Sequence, residues 1–183
     1  MLRAVISSTA EKGIGATTVA DIVGRARVSR QAFYNQFDSK DECLVAAIDA
    51  GIDAVIATID AALASASNLT ARQRLSVVVE QYLETCSAEP EFARAWAIDL
   101  PAVRPAGITK RNEYLGLLAD GLRSLYWPPG PNAPNREVFL AAIGGCHELF
   151  YRQVVEDGSD SFMSLHVPIM DFLERALSLP RTD

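Results

Sequence analysis

Apolar residues fall at helical spacing along almost the whole chain. Leu2, Val5, Ile6 and Thr9 make the inward stripe of a first helix, and Val19, Ile22, Val23 and Ala26 that of a second, with Thr17 or Thr18 placed to cap its start. Ser29 can cap a third helix, in which Phe33 and Phe37 stand one turn apart. At about 100° per residue both point inward, while Gln31, Ala32 and Asn35 point outward, flanked by Arg30 and Tyr34. Ser39 and Glu42 have capping-box spacing, and Leu44, Ile48, Ile52, Val55, Ile59 and Leu63 carry a long helix to about Ala66. Gly51 lies inside it at a cost of about 1 kcal/mol relative to Ala, which marks close packing or a bend.

The same period continues. Thr70 with Gln73 opens a helix whose inward residues include Leu75, Val78, Val79, Tyr82, Leu83 and Cys86. Pro90 opens a short helix through Phe92, Trp96 and Leu100 that Pro101 ends, and a helix with Tyr114, Leu115, Leu118, Leu122 and Leu125 runs to about Tyr126. Residues 127–134 read as a loop. From about Asn135, Val138, Ala142, Ile143, Cys146, Leu149 and Phe150 form a stripe too broad for one exposed helix, so a partner beyond the helix's own core is expected. Gly144 and Gly145 would allow close approach. A last helix repeats through Phe162, Leu165, Ile169, Phe172, Leu173 and Ala176, with Pro168 expected to kink it. The fold class is therefore all-α, about nine helices.

Composition bounds the function. Of the 183 residues, 49% are hydrophobic and 22% charged, ordinary for a globular chain with a real core. No apolar run approaches the ~20 residues of a membrane span, and no secretory signal pattern opens the chain, so the cytoplasm is expected. Cys43, Cys86 and Cys146 are widely spaced, without a disulfide framework or zinc spacing, and read as small buried hydrophobes, with a redox sensor as the alternative. No nucleophile elbow, Gly-rich phosphate loop or paired metal ligands are present, so neither an enzyme, a metal nor a cofactor is expected.

Charge is what singles out the N-terminal end. The net charge is −6, yet residues 1–40 hold Arg3, Lys12, Arg25, Arg27, Arg30 and Lys40 against Glu11, Asp21 and Asp38, a local +3. An acidic chain cannot attract nucleic acid through its general field, so any such partner must meet this end. There, Gln31 and Asn35 can bond bidentately to adenine, and the Ala32 methyl can meet a thymine methyl. Arg30 and Tyr34 suit phosphates. A merely solvated face on a helical hairpin would need no such charge asymmetry.

The run Gly13-Ile-Gly-Ala-Thr-Thr-Val-Ala-Asp-Ile, then Val28-Ser29-Arg30, Phe33-Tyr34 and Phe37-Asp-Ser-Lys40-Asp-Glu resembles the DNA-binding domain of the tetracycline-repressor-like (TetR) family of bacterial regulators, over roughly the first 45 residues. The resemblance implies a three-helix helix-turn-helix domain at 1–44 and a helical effector-binding and dimerisation domain at 45–183. It makes the third helix the recognition helix, and Thr18, Ser29, Arg30, Gln31, Ala32, Tyr34, Asn35 and Lys40 the DNA contacts, with Tyr34 and Lys40 on the backbone. The family commonly has Gly in the inter-helix turn, where this chain has Arg27. A left-handed backbone there would cost Arg27 about 1 kcal/mol or more, which a phosphate contact could offset. No N-terminal arm for the minor groove is expected.

The resemblance further implies a ligand-responsive regulator, usually a repressor, that binds a palindromic double-stranded operator as a homodimer and is released by a small, largely apolar effector. Candidate effector-pocket residues are Tyr82, Phe92, Trp96, Tyr114, Leu118, His147 and Phe150. Ile143, Leu149, Phe162, Leu165, His166, Ile169, Phe172 and Leu173 are the candidate dimer interface, a packing of four helices, two from each chain. The alternative is an effector-independent dimeric regulator whose C-terminal domain only pairs subunits or binds a protein.

Overall fold

The computed structural model describes residues 1–65, 68–127, 134–156 and 162–177. α1 (Leu2–Ala16) buries Val5, Ile6 and Thr9 as its stripe requires and kinks at Gly13, whose φ of 76° and ψ of 157° lie where in effect only glycine is found. Thr17 turns the chain, its buried hydroxyl donating to the Ser8 and Gly13 carbonyls at 3.2 and 2.9 Å. Thr18, not Thr17, then caps α2 (Val19–Ala26): Thr18 Oγ1 accepts from the Asp21 amide at 3.3 Å and Asp21 accepts from the Thr18 amide at 2.8 Å. α3 (Arg30–Tyr34) is five residues long and capped by Ser29, whose hydroxyl accepts from the Ala32 amide at 3.1 Å.

α4 (Lys40–Ala64) opens with Ser39 Oγ accepting from the Glu42 amide at 3.1 Å, while Glu42 reaches back one residue further than a capping box predicts, to the Asp38 amide at 2.6 Å. α5 (Ala71–Ala88) opens on the reciprocal Thr70–Gln73 pair. α6 (Pro90–Arg94) runs through a π turn (Ala95–Asp99) into α7 (Leu100–Ala102). Pro101 does not stop the helix at once. It cannot donate and its ring crowds the preceding turn, and the wider turn just before it, closed by the Leu100 amide on the Ala95 carbonyl, carries the helix past it to Ala102. α8 (Ala106–Tyr126), α9 (Arg136–Glu156), a 3₁₀ turn (Phe162–Leu165) and α10 (His166–Ala176) follow. With 90–102 counted as one run, the described residues form nine helical segments and no strand. Most of the expected 127–134 loop falls outside the described residues.

Pro168 is a correction to the sequence expectation. It sits in the first turn of α10 and kinks nothing, because amides there have no intrahelical acceptor to lose. The residues before it, Phe162–Leu165, form the 3₁₀ turn instead of the start of one kinked helix.

Contacts divide the chain into two units. The first joins Met1–Ala54 to Glu89–Arg111 around Val5, Ile22, Phe33, Leu44, Ile48 and Leu100. The second joins Val55–Ala88 to the described residues of Asn112–Asp183 around Leu83, Phe139, Phe150, Phe162 and Leu173. In the second, Arg72 Nε donates at 2.8 Å to Glu174, whose side chain is almost wholly buried, tying α5 to α10. Cys43 and Cys86 are buried and Cys146 half-buried, and burial pushes their thiols up to about 11, 12 and 12. None is a thiolate near neutrality.

Candidate nucleic-acid interface

Phe33 is fully buried, stacked edge-on against Tyr34 (centroids 5.4 Å apart) and tilted against Phe37 (5.6 Å). That anchor fixes which way the short α3 faces. Arg30, Gln31, Tyr34 and Asn35 are exposed and Ala32 half-buried, so the face expected to read bases is the open one. Thr18 and Ser29 are exposed but already cap α2 and α3, so their hydroxyls sit at helix N-termini, where backbone amides also point toward a phosphate.

The turn between α2 and α3 is a Schellman ending. The Val28 amide bonds to the Val23 carbonyl at 3.1 Å and the Arg27 amide to the Gly24 carbonyl at 3.3 Å. Its left-handed residue is Arg27, at φ 56° and ψ 42°, the only non-glycine residue with positive φ among the described residues.

The six cations of this end divide cleanly. Arg3 pairs with Glu89, Arg25 with Glu11, and Lys12 with Asp21 at 2.7 Å. The Lys12 ammonium, helped by Thr18, holds the Asp21 carboxyl well below the usual carboxylate range. Lys40, expected on a DNA phosphate, instead aims its ammonium at the end of α1, donating to the Ile14, Gly15 and Thr17 carbonyls at 2.6, 3.2 and 2.7 Å. Those carbonyls have no helical amide left to accept from, and an ammonium is the natural cap. That leaves Arg27 and Arg30, both exposed and without an ion pair or side-chain hydrogen bond among the described residues. The unengaged charge is thus concentrated at the turn and the first residue of α3.

The candidate effector residues do not fall in one unit. Phe92 and Trp96 are buried in the first, whereas Tyr82, Tyr114, Leu118, His147 and Phe150 belong to the second. Within the second, Phe150 lies 5.5 Å from Tyr82, 6.3 Å from His147 and 5.0 Å, stacked, from Phe162. Leu118 is instead exposed.

The dimer candidates also divide. Phe162, Leu165, Ile169 and Leu173 are buried by the chain's own packing and offer a partner little surface, a correction that follows from α10 filling its own unit's core. His166 Nε2 lies 3.1 Å from the Ser76 hydroxyl, inside the same unit. Ile143 and Leu149 are half-buried and Phe172 is exposed. Phe172 with Val138, Ala141, Ala142, Ala176 and Leu177 lines an open apolar groove of about 440 Å³. Sequence reasoning passed over Asp99, a buried carboxylate whose signal is one acid within the apolar run 95–100.

Two capped helices joined by a tight turn, the second with an anchored inner face and an open polar outer face, define a helix-turn-helix DNA-binding protein. Residues 2–47 match the model of the bacterial regulatory proteins of the tetR family. Residues 2–47 thus resemble the DNA-binding domain of that family. No match is found among curated protein sequences. Among solved structures, the fatty acid degradation regulator FadR from Bacillus halodurans superposes with a TM-score of 0.77 at 17% identity, covering 94% of this chain and 91% of that one. FadR from Bacillus subtilis, solved in complex with stearoyl-CoA, gives 0.74 at 19% identity, covering 94% and 95%. A TetR-family transcriptional regulator from Bordetella parapertussis 12822 gives 0.66 at 22% identity, covering 99% and 96%. At such identities these three show a shared fold. No helix among the described residues is long and apolar enough to cross a membrane.

Proposed function

We propose that this protein is a ligand-responsive repressor that binds a palindromic operator as a homodimer, reads each half-site with α3, and is released by a small, largely apolar effector. Residues 1–44 would read DNA, and 45–183 would pair the subunits and take the effector, in the cytoplasm. The observation that carries the DNA half is the division of cations: those inside the module are paired, and Arg27 and Arg30 are left facing out beside Gln31 and Asn35. A second copy is supported by the apolar groove at Val138 and Phe172, since two recognition helices about one DNA turn apart need a two-fold axis. The effector half is supported by the aromatic cluster around Phe150 and by the stearoyl-CoA complex of the Bacillus subtilis FadR structure.

The DNA reading is tested by selecting duplexes from a random pool with the wild-type protein and with Gln31→Ala. The variant should bind with relaxed base preference, losing about 1–3 kcal/mol of discrimination at one position of each half-site. An unchanged preferred sequence removes Gln31 from the reading face. The effector reading is tested with long-chain acyl-CoA and free fatty acids, which should raise the melting temperature and release the selected duplex. A ligand that binds the DNA-incompetent state about 100-fold better costs the operator complex about 2.7 kcal/mol. If no apolar ligand releases the duplex, the effector-independent regulator is the better description.

A further inference from the structure

We propose that Asp99 is a positioning residue for DNA binding: together with Lys40 it clamps the backbone on either side of Ile14 and so fixes the helix-turn-helix against residues 89–102. This rests on the reading of the module as a DNA reader. Asp99 Oδ1 accepts the Ile14 amide at 3.0 Å, and Lys40 Nζ donates to the Ile14 carbonyl at 2.6 Å. The two peptide groups that flank the Ile14 Cα are therefore held, one at its N–H by a carboxylate and the next at its C=O by an ammonium. Both bonds are charge-assisted, and together they fix the backbone on both sides of the Ile14 Cα.

The positions of the two groups give the clamp its leverage. Ile14 follows Gly13, where α1 departs from helical geometry, and precedes Thr17 and Thr18, from which α2 starts. Lys40 is the first residue of α4, directly after the segment that leaves α3. The chain therefore enters the α2–α3 pair at residues 14–18 and leaves it at Lys40, and Lys40 binds the entry. The pair is closed into a loop knotted at the Ile14–Thr17 carbonyls. Asp99 ties that knot to the 89–102 segment at the point where the chain enters the α2–α3 pair.

Three further observations single out Asp99. It is 3% exposed, and its second carboxylate oxygen has no partner among the described residues, an arrangement that costs more than an apolar side chain would in the same place. It ends the π turn, and such widened turns are concentrated at functional positions. The contacts upstream of it, Arg3 with Glu89 and Ser7 with Glu91 at 2.6 Å, run along α1 in the same order but join exposed or half-buried groups. Of these three contacts, that of Asp99 is the one that holds a backbone group in the interior.

The experiment compares wild type, Asp99→Ala and Asp99→Asn, each checked for folding by its melting curve, on a duplex enriched by the wild-type protein from a random pool. Both variants remove the same negative charge, which by itself favours DNA, but only Asn keeps an acceptor oxygen for the Ile14 amide. The expected result is affinity lowered about tenfold or more in Asp99→Ala and restored to within about threefold of wild type in Asp99→Asn. The Ile14 amide proton resonance should move upfield in the Ala variant and stay near its wild-type position in the Asn variant. If Asp99→Ala does not fold, the Asn variant and Lys40→Met carry the test: the Asn variant should keep the Ile14 resonance near its wild-type position, and Lys40→Met should shift the Gly15 amide resonance, whose peptide group carries the Ile14 carbonyl. Wild-type affinity in a folded Asp99→Ala protein, an Ile14 resonance indifferent to Asp99→Ala, or a Gly15 resonance indifferent to Lys40→Met overturns the proposal alone. Failure of the wild-type protein to enrich any duplex overturns the DNA reading, and the positioning role with it.

Discussion

Two residues with positive φ shape the DNA module, and the sequence disclosed only one of them. Arg27 stood out because it occupies a turn position where a residue without Cβ is at ease, and the structure shows it left-handed at φ 56°. Gly13 at φ 76° gave no such signal, because a glycine near a helix end is compatible with several geometries. Arg27 is exposed and its side chain has no ion pair or hydrogen bond among the described residues, so no side-chain contact offsets its strain. Arg27→Gly should therefore stabilise the folded state by about 1 kcal/mol, seen as a melting temperature higher by roughly 2–8 °C. If the arginine is retained for DNA, the same variant should bind all duplexes more weakly, with a salt dependence shallower by about one phosphate contact. A more stable variant with unaltered DNA binding would leave the guanidinium without a role there. Lys40 marks the opposite limit of sequence reading. The family resemblance implied a phosphate contact for it, but α1's unpaired carbonyls, which only the folded chain brings near, compete for the same ammonium.

Elements were legible where the apolar period was regular and a cap lay at its start, as for α2, α3, α4 and α5. They were less so where prolines intervened. Pro101 and Pro168 both read as interruptions, yet one is preceded by a π turn and the other lies in a first turn where it disturbs no bond. The outcome depends on the preceding backbone, which residue type does not encode. Gly51 is the case where a sequence anomaly had a definite tertiary cause. A Cβ built there falls 2.0 Å from the Phe92 ring, so the ring fills the space that a side chain at 51 would need. Gly51→Ala, although it raises helix propensity by about 1 kcal/mol, should be net destabilising by about 1–3 kcal/mol because the ring must be displaced. Pairing it with Phe92→Leu should recover part of the loss, and denaturant titration of the single and double variants measures the coupling. Additive effects would show that the two residues do not meet.

At the scale of the whole molecule, the broad apolar stripe of α9 and the period of α10 both suggested a pairing surface, and they suggested too much of it. Helical spacing reports which face is apolar but not whether that face meets its own chain or another. Phe162, Leu165, Ile169 and Leu173 meet their own chain. Of the two stripes, Val138, 46% exposed, and Phe172, 37% exposed, stay uncovered and line one groove with Ala142. Phe172 also lies over Gly145, where a Cβ would come within 2.9 Å of its ring, so the face is set by close packing and not by a loose side chain. Val138→Lys with Phe172→Asp places charges on this face while sparing the buried residues, so the chain should fold but sediment as a monomer. A monomer presents one α3, and joining two half-sites on one duplex is what raises affinity without new contacts, by up to about 10²–10⁴-fold. The double variant should therefore lose that factor on a palindromic duplex while binding a single half-site as the wild-type protein does. A variant that remains a dimer places the two-fold axis on another surface, and one that is monomeric yet keeps full affinity for the palindrome removes the need for an axis at all.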